Sequence, residues 1–191
     1  MSNREHRSTT FDKHEKEELG EDELLRYIFF ELADETFAIK IEDVREVTHT
    51  PPISQMPRTP DYFEGVTNIR GNIVTILDLE KKLDLSSRIN LLPMKEPLKY
   101  TIVLDMKDYQ IGFSVRKVPQ TINFQQSEIE RVEEISKATK VNYYFLDGLG
   151  RKDGKLFMLL DIKKVFSATD YKKITKIRNE AEKDKNKDIG S

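Results

Sequence analysis

The residues able to do acid–base, nucleophilic or metal chemistry are few, and their spacing is against them. The chain has three histidines and no cysteine, which excludes a thiolate zinc site, a cysteine nucleophile and a disulfide framework. His6 and His14 have no acidic or thiol partner at ligand spacing and make an incomplete metal site. His49 lacks a serine or carboxylate partner within a motif, so it reads as a surface residue beside Pro51 rather than a general base. No glycine-rich phosphate loop with its lysine, no nucleophile elbow and no His-Glu-x-x-His pair occurs. Asp78 and Asp161 invite a reading as paired carboxylates, but they fill the same place in two copies of one pattern. A structural need is met once per copy, whereas an acid–base pair needs two different environments. Both are expected to cap short helices, and the expectation for the whole chain is no catalysis, no cofactor and no metal.

The elements that place these residues centre on Glu64 to Leu83. Val66 and Ile69 approach an Arg70-Gly71 turn, and an apolar run from Ile73 to Leu77 stops at Asp78. Gly71 supplies the positive φ of a tight reversal, the β-branched run favours a buried strand, and Asp78 suits the N-cap of a helical turn. Residues 153–164 lay over 70–81 without a gap, 83 positions on; upstream, Ile28 to Val44 superposes on Ile102 to Val118, 74 positions on. The chain is therefore a duplicated design. The later copy carries nine extra residues, 83 less 74, placed between Val118 and Gly154 and best accommodated in the polar stretch Asn123 to Thr139.

Hairpins are expected from Tyr27 to Ile41 and from Thr101 to Val115. Glu42-Asp43 should cap a short helix, Val44 to Val47, with both valines on its inner face, and Val141 to Leu146 should form a strand. Four prolines between Pro51 and Pro60 make a stiff extended connector. Residues 1–23 read as a disordered charged tail, 24–167 as the folded domain, and 168–191 as a second charged tail that starts as a frayed helix, with Ile174 and Ile177 one turn apart, and ends disordered.

A net charge of −2, from 32 basic and 34 acidic residues, provides no field that would gather nucleic acid or an anionic membrane. No apolar leader or stretch long enough to span a bilayer is present, so a cytoplasmic protein with no direct membrane insertion is expected. A small β-barrel that binds nucleic acid is the alternative. It requires exposed aromatics along a basic groove, whereas Phe29, Phe30, Phe37, Phe113 and Phe157 sit inside apolar strand patterns.

Several strings in order resemble the CheW family, the coupling proteins of bacterial chemotaxis: Phe37-Ala38-Ile39-Lys40-Ile41 with Val44-Arg45-Glu46-Val47, then Gly65-Val66-Thr67-Asn68-Ile69-Arg70-Gly71 with Ile76-Leu77-Asp78-Leu79, then Gly112-Phe113-Ser114-Val115, and Gly148, Asp153-Gly154 and Leu159-Leu160-Asp161-Ile162. The resemblance implies an all-β fold with a few short helices, two SH3-like five-stranded barrels, and a non-enzymatic adaptor. It implies as partners the regulatory domain of the histidine kinase CheA and the cytoplasmic tip of methyl-accepting chemoreceptors, with recruitment to membrane-associated arrays and no nucleic acid. Val44, Glu46, Gly65, Asn68 and Arg70 are the receptor- or kinase-binding residues it suggests. Where the family usually has Val-Asp-x-Val, this chain has Val115-Arg116-Lys117-Val118 before Pro119. The reversed charge makes Arg116 and Lys117 the expected determinants of partner choice in the second lobe.

Overall fold

The computed structural model describes residues 24–33, 35–57, 59–85, 97–106, 109–132, 143–166, 169–177 and 179. The first copy contributes β1 (Leu24–Leu32), β2 (Glu35–Lys40), β3 (Val44–His49), β4 (Phe63–Ile69), β5 (Asn72–Leu77) and α1 (Leu79–Lys82). The second contributes β6 (Tyr100–Met106), β7 (Tyr109–Val115), β8 (Gln120–Gln125), β9 (Ile129–Arg131), β10 (Leu146–Lys152), β11 (Lys155–Leu160) and α2 (Ile162–Val165). The bounds of β4, β5 and α1 recur in β10, β11 and α2 at the 83-residue displacement read from the sequence. Two sheets and a few short helices make the expected all-β architecture.

Pairing shows how the copies make lobes. The five-stranded sheet, here the first lobe, runs β3-β6-β7-β5-β4; the six-stranded sheet, the second lobe, runs β8-β1-β2-β11-β10-β9. Each copy therefore lends its opening hairpin to the other's sheet. The seams are parallel, β5 with β7 and β11 with β2. A copy is not a lobe, and neither sheet is complete without strands from both halves of the chain. The sixth strand, β9, stands where the first copy has a single bridge: Glu130 faces Leu149 as Ser54 faces Val66.

Strand side chains alternate between two faces, and both faces are used. Between the sheets lies the main core, with Phe30, Phe37, Ile102, Leu104 and Phe113 fully or almost fully buried. Phe30 and Phe113 bring the sheets together at a ring separation of 5.0 Å, and burial of such a side chain contributes about 1.5–3 kcal/mol. On its other face each sheet closes over a smaller cluster. Ile69, Val74, Ile76 and Val103 fill the first lobe; Tyr27, Ala38, Phe124, Phe157 and Leu159 fill the second.

Two expectations are corrected. Val44 to Val47 is not helical: a single 3-10 turn, Ile41–Asp43, precedes β3, in which Val44, Glu46 and Thr48 are half-buried while Val47 faces solvent. Sheet pairing to β6 overrides the short i, i+3 pattern. Tyr143–Phe145 is a 3-10 turn, and β10 begins only at Leu146. The residues 169–177 form a helical segment whose Asp170, Ile174 and Ile177 are buried, the two isoleucines joining the main core. His6, His14 and the remainder of the two charged tails lie outside the described residues.

Candidate functional site

The β4–β5 hairpin closes with two residues, Arg70 at φ 51° and Gly71 at φ 90°. Two successive positive φ values give the turn type whose twist matches that of the flanking strands. Asn68 braces it, its Oδ1 accepting the Gly71 N–H at 2.8 Å. Arg70, in a conformation costly for a side-chain-bearing residue, is thereby lifted off the sheet. Its Nε lies 3.0 Å from Glu46 Oε2, with Arg70 81% exposed and Glu46 21%. Glu46 is on β3 and Arg70 follows β4, the opposite edges of the five-stranded sheet. The pair spans the mouth where that sheet curls back on itself.

Val44 enters the same strand one bulge earlier, half-buried against the main core. Glu46, Asn68 and Arg70 thus come together, with Val44 at the base of β3. Gly65 is buried and works through its backbone. A Cβ there, at φ +148°, would stand 2.2 Å from the Ser54 carbonyl oxygen. The close approach lets Val66 N–H donate to that carbonyl at 2.9 Å and Ser54 N–H to the Val66 carbonyl at 2.8 Å, pinning the proline-rich connector to β4.

Arg116 and Lys117 each find a partner within the chain. Arg116 is only 20% exposed and turns onto buried Glu80 of α1, with Nη1 to Oε1 at 2.5 Å and Nη2 to Oε2 at 3.2 Å. Glu80 also accepts the Ala33 N–H of the other lobe at 3.3 Å. Lys117 Nζ reaches Glu31 Oε2 at 2.5 Å on the surface. The reversal at Arg116 has a counterpart inside the chain. Arg116 corresponds to Glu42, Lys117 to Asp43, and Glu80 to Lys163, so both ends change sign together. Burial pushes the Asp43 carboxyl up, and the nearby Lys163 charge opposes the shift. Arg116 thus braces the seam between the lobes.

The capping expectation for the two aspartates agrees with the structure. Asp78 Oδ1 accepts the Lys81 N–H at 2.9 Å, and Asp161 Oδ1 accepts those of Lys163 and Lys164 at 2.9 and 3.3 Å. His49 is exposed with its ring 5.1 Å from that of Tyr100. Among the described residues no group of three or more histidine, aspartate or glutamate side chains is placed to hold a metal. Phe30, Phe37, Phe113 and Phe157 are buried, which removes them as stacking surfaces for bases.

One cluster escaped the sequence. Asp170, 3% exposed, accepts the Tyr62 hydroxyl at 2.5 Å and Lys82 Nζ at 2.8 Å, and Lys82 stands 4.5 Å from the centre of the Tyr62 ring. Burial and then the Asp170 hydrogen bond hold the Tyr62 hydroxyl well above the usual tyrosine range. The available signal was Asp170, Ile174 and Ile177 at helical spacing within a segment dominated by charge.

Comparison with known proteins places this arrangement. The model of the CheW-like domain matches residues 26–170. The chain is 25% identical over 156 residues to the chemotaxis protein CheW of Treponema pallidum, covering 82% of this chain and 90% of that protein. To the chemotaxis protein CheW of Klebsiella aerogenes it is 28% identical over 149 residues, covering 75% and 82%. The crystal structure of the scaffolding protein TtCheW from Thermoanaerobacter tengcongensis superposes with a TM-score of 0.63 at 24% identity, covering 76% of this chain and 94% of that one. The chain belongs to the CheW-like domain family and is a non-enzymatic adaptor of chemotaxis signalling.

Proposed function

We propose that this adaptor couples chemoreceptors to the histidine kinase CheA, and that the mouth of the first lobe is one of its contact surfaces. The observation that carries the placement is the Arg70 guanidinium: raised by a left-handed turn, steadied by Glu46 and still 81% exposed. Five donors in a planar fork suit carboxylates and carbonyls at the end of a receptor helical hairpin. The edges of the small barrels, with Val44 and Glu46 on β3, suit pairing with a similar barrel of the kinase regulatory domain. No helix among the described residues is long and apolar enough to cross a membrane, so attachment to receptor arrays would come through these contacts.

Titration of a receptor cytoplasmic fragment and of a CheA regulatory domain into the purified protein tests this. Arg70→Ala is expected to weaken receptor binding about tenfold, as loss of a charged hydrogen bond does, while unfolding stability changes by less than about 1 kcal/mol, the worth of an exposed ion pair. Glu46→Lys should change the salt dependence of association. Unchanged receptor affinity together with a large loss of stability would assign Arg70 to bracing the turn instead.

A further inference from the structure

The bulged residues of β4 and β10 are counterparts that have been treated differently. In each strand one extra residue interrupts the pairing, Glu64 between Phe63 and Gly65, and Asp147 between Leu146 and Gly148. Bulges re-aim a side chain, and here each aims a carboxylate at the end of its lobe. Asp147 has its cation, Lys40 Nζ at 3.4 Å. The position equivalent to Lys40 in the first lobe is Ser114, which is buried and hydrogen-bonded to Thr101 at 3.2 Å. Among the described residues Glu64 forms no ion pair, and its Oε2 is sealed from solvent with no hydrogen-bond partner. Lys81, whose charge acts on Glu64, is already drawn to Asp78 Oδ2 at 3.4 Å and to the Asp61 carbonyl at 3.2 Å.

Glu64 also lines an open groove of about 600 Å³, floored by Ile53, Met56 and Phe63, edged by Leu98 and bounded by Lys81. A volume of this order accommodates a few side chains. Burial, and the charges of Asp78 and Glu80, push the Glu64 carboxyl up, with Lys81 opposing; a cation entering the groove would relieve this. Arg70 stands about 20 Å away at the far end of β4, six strand rises of roughly 3.3 Å, so this surface is separate from the mouth.

We propose that the groove receives a cationic side chain, arginine or lysine, from an apolar segment of a protein partner, which supplies to Glu64 the charge that Lys40 supplies to Asp147. The flanking apolar residues of that segment would lie on Ile53, Met56, Phe63 and Leu98. The proposal does not rest on the receptor and kinase assignments, and loss of either leaves it standing.

The probe is the N-acetylated, C-amidated tripeptide Leu-Arg-Leu, titrated into the ¹⁵N-labelled full chain and followed by amide chemical shifts. Saturable shifts at Ile53, Phe63 and Glu64 are expected, with binding about tenfold weaker when citrulline, neutral and of the same shape, replaces arginine, and about tenfold weaker to Glu64→Gln. Equal binding of the citrulline peptide, undiminished binding to Glu64→Gln, or no shifts in the groove at millimolar peptide would overturn the proposal. An equal response around Asp147, whose lysine is in place, would also overturn it. Agmatine binding as tightly as the peptide would replace the protein segment with a free small cation and refute the choice of partner.

Discussion

Where the first lobe has Thr67, its hydroxyl on the Pro52 carbonyl at 2.8 Å, the second has Gly150, and Phe124 is the reason. A Cβ on Gly150 would stand 2.7 Å from the Phe124 ring. That ring packs edge-on to Tyr27 and Phe157 at 5.6 and 5.4 Å. In the corresponding places the first lobe has Thr101 for Tyr27, Val74 for Phe157 and Val103 for Phe29. One lobe is filled by interlocking rings; the other is filled by aliphatic and hydroxyl side chains and closed by an ion pair. Duplication has kept the backbone path and changed its contents, leaving the first lobe's bulge as the less self-satisfied of the two.

The largest expected break in this comparison is electrostatic. If Arg116 serves the seam, Arg116→Glu sets two carboxylates against each other beside Ala33 and should cost about 3–5 kcal/mol, the range for breaking a buried pair, read as a lower urea midpoint. Adding Glu80→Lys restores an opposite-charge pair, with the signs that Glu42 and Lys163 carry at the equivalent positions, and should recover at least half of the loss. A small effect of the single change, with altered partner preference, would make Arg116 a partner determinant rather than a brace of the seam.

A smaller loss is expected from the second lobe's packing. Gly150→Ala should cost about 1–3 kcal/mol, as overpacking does, a fall of roughly 2–4 °C in Tm per kcal/mol at this chain size. Phe124→Leu in the same molecule should make the combined loss less than the sum of the two, since the residues share one space. Additive losses would mean that Gly150 is required for its backbone and not for the ring.

Much of this was legible in the sequence because duplication reports twice. Gly71 with Gly154 and Asp78 with Asp161 fixed two turns and two caps, whereas β9 was not legible in the polar stretch that holds it. The exchange of hairpins was not legible: β1–β2 and β6–β7 are near-equivalents, so either sheet accepts either hairpin as far as local pattern goes, and only the connections decide. The role of Arg116 was hidden for a related reason, because its partner Glu80 lies 36 positions back in sequence and the complementary change at Lys163 shows only once α1 and α2 are superposed. At the mouth, Glu46 and Arg70 were each legible as exposed charges, but their contact depends on the curl of a whole sheet.

The smallest expected effect separates the two bulge carboxylates by sign. Glu64 is held above its ordinary value of 4.5 first by burial, then by Asp78 and Glu80, against Lys81. The fold therefore binds this proton more tightly than the unfolded chain does, and the associated stability is fully present below pH 4.5 and lost as pH rises through the folded-state value. Glu64→Gln removes that loss, so the difference in Tm between variant and parent should move in the variant's favour between pH 4 and 7. Burial pushes Asp43 in the same direction, but it is present in both proteins and cancels in the difference. Asp147→Asn does the opposite kind of thing: it strips Lys40 of its partner and should cost about 0–1 kcal/mol at neutral pH, as exposed pairs do. Thermal unfolding across the range decides the matter, because a Glu64→Gln variant less stable than its parent at pH 7 would show that the first lobe's carboxylate already has its counter-charge.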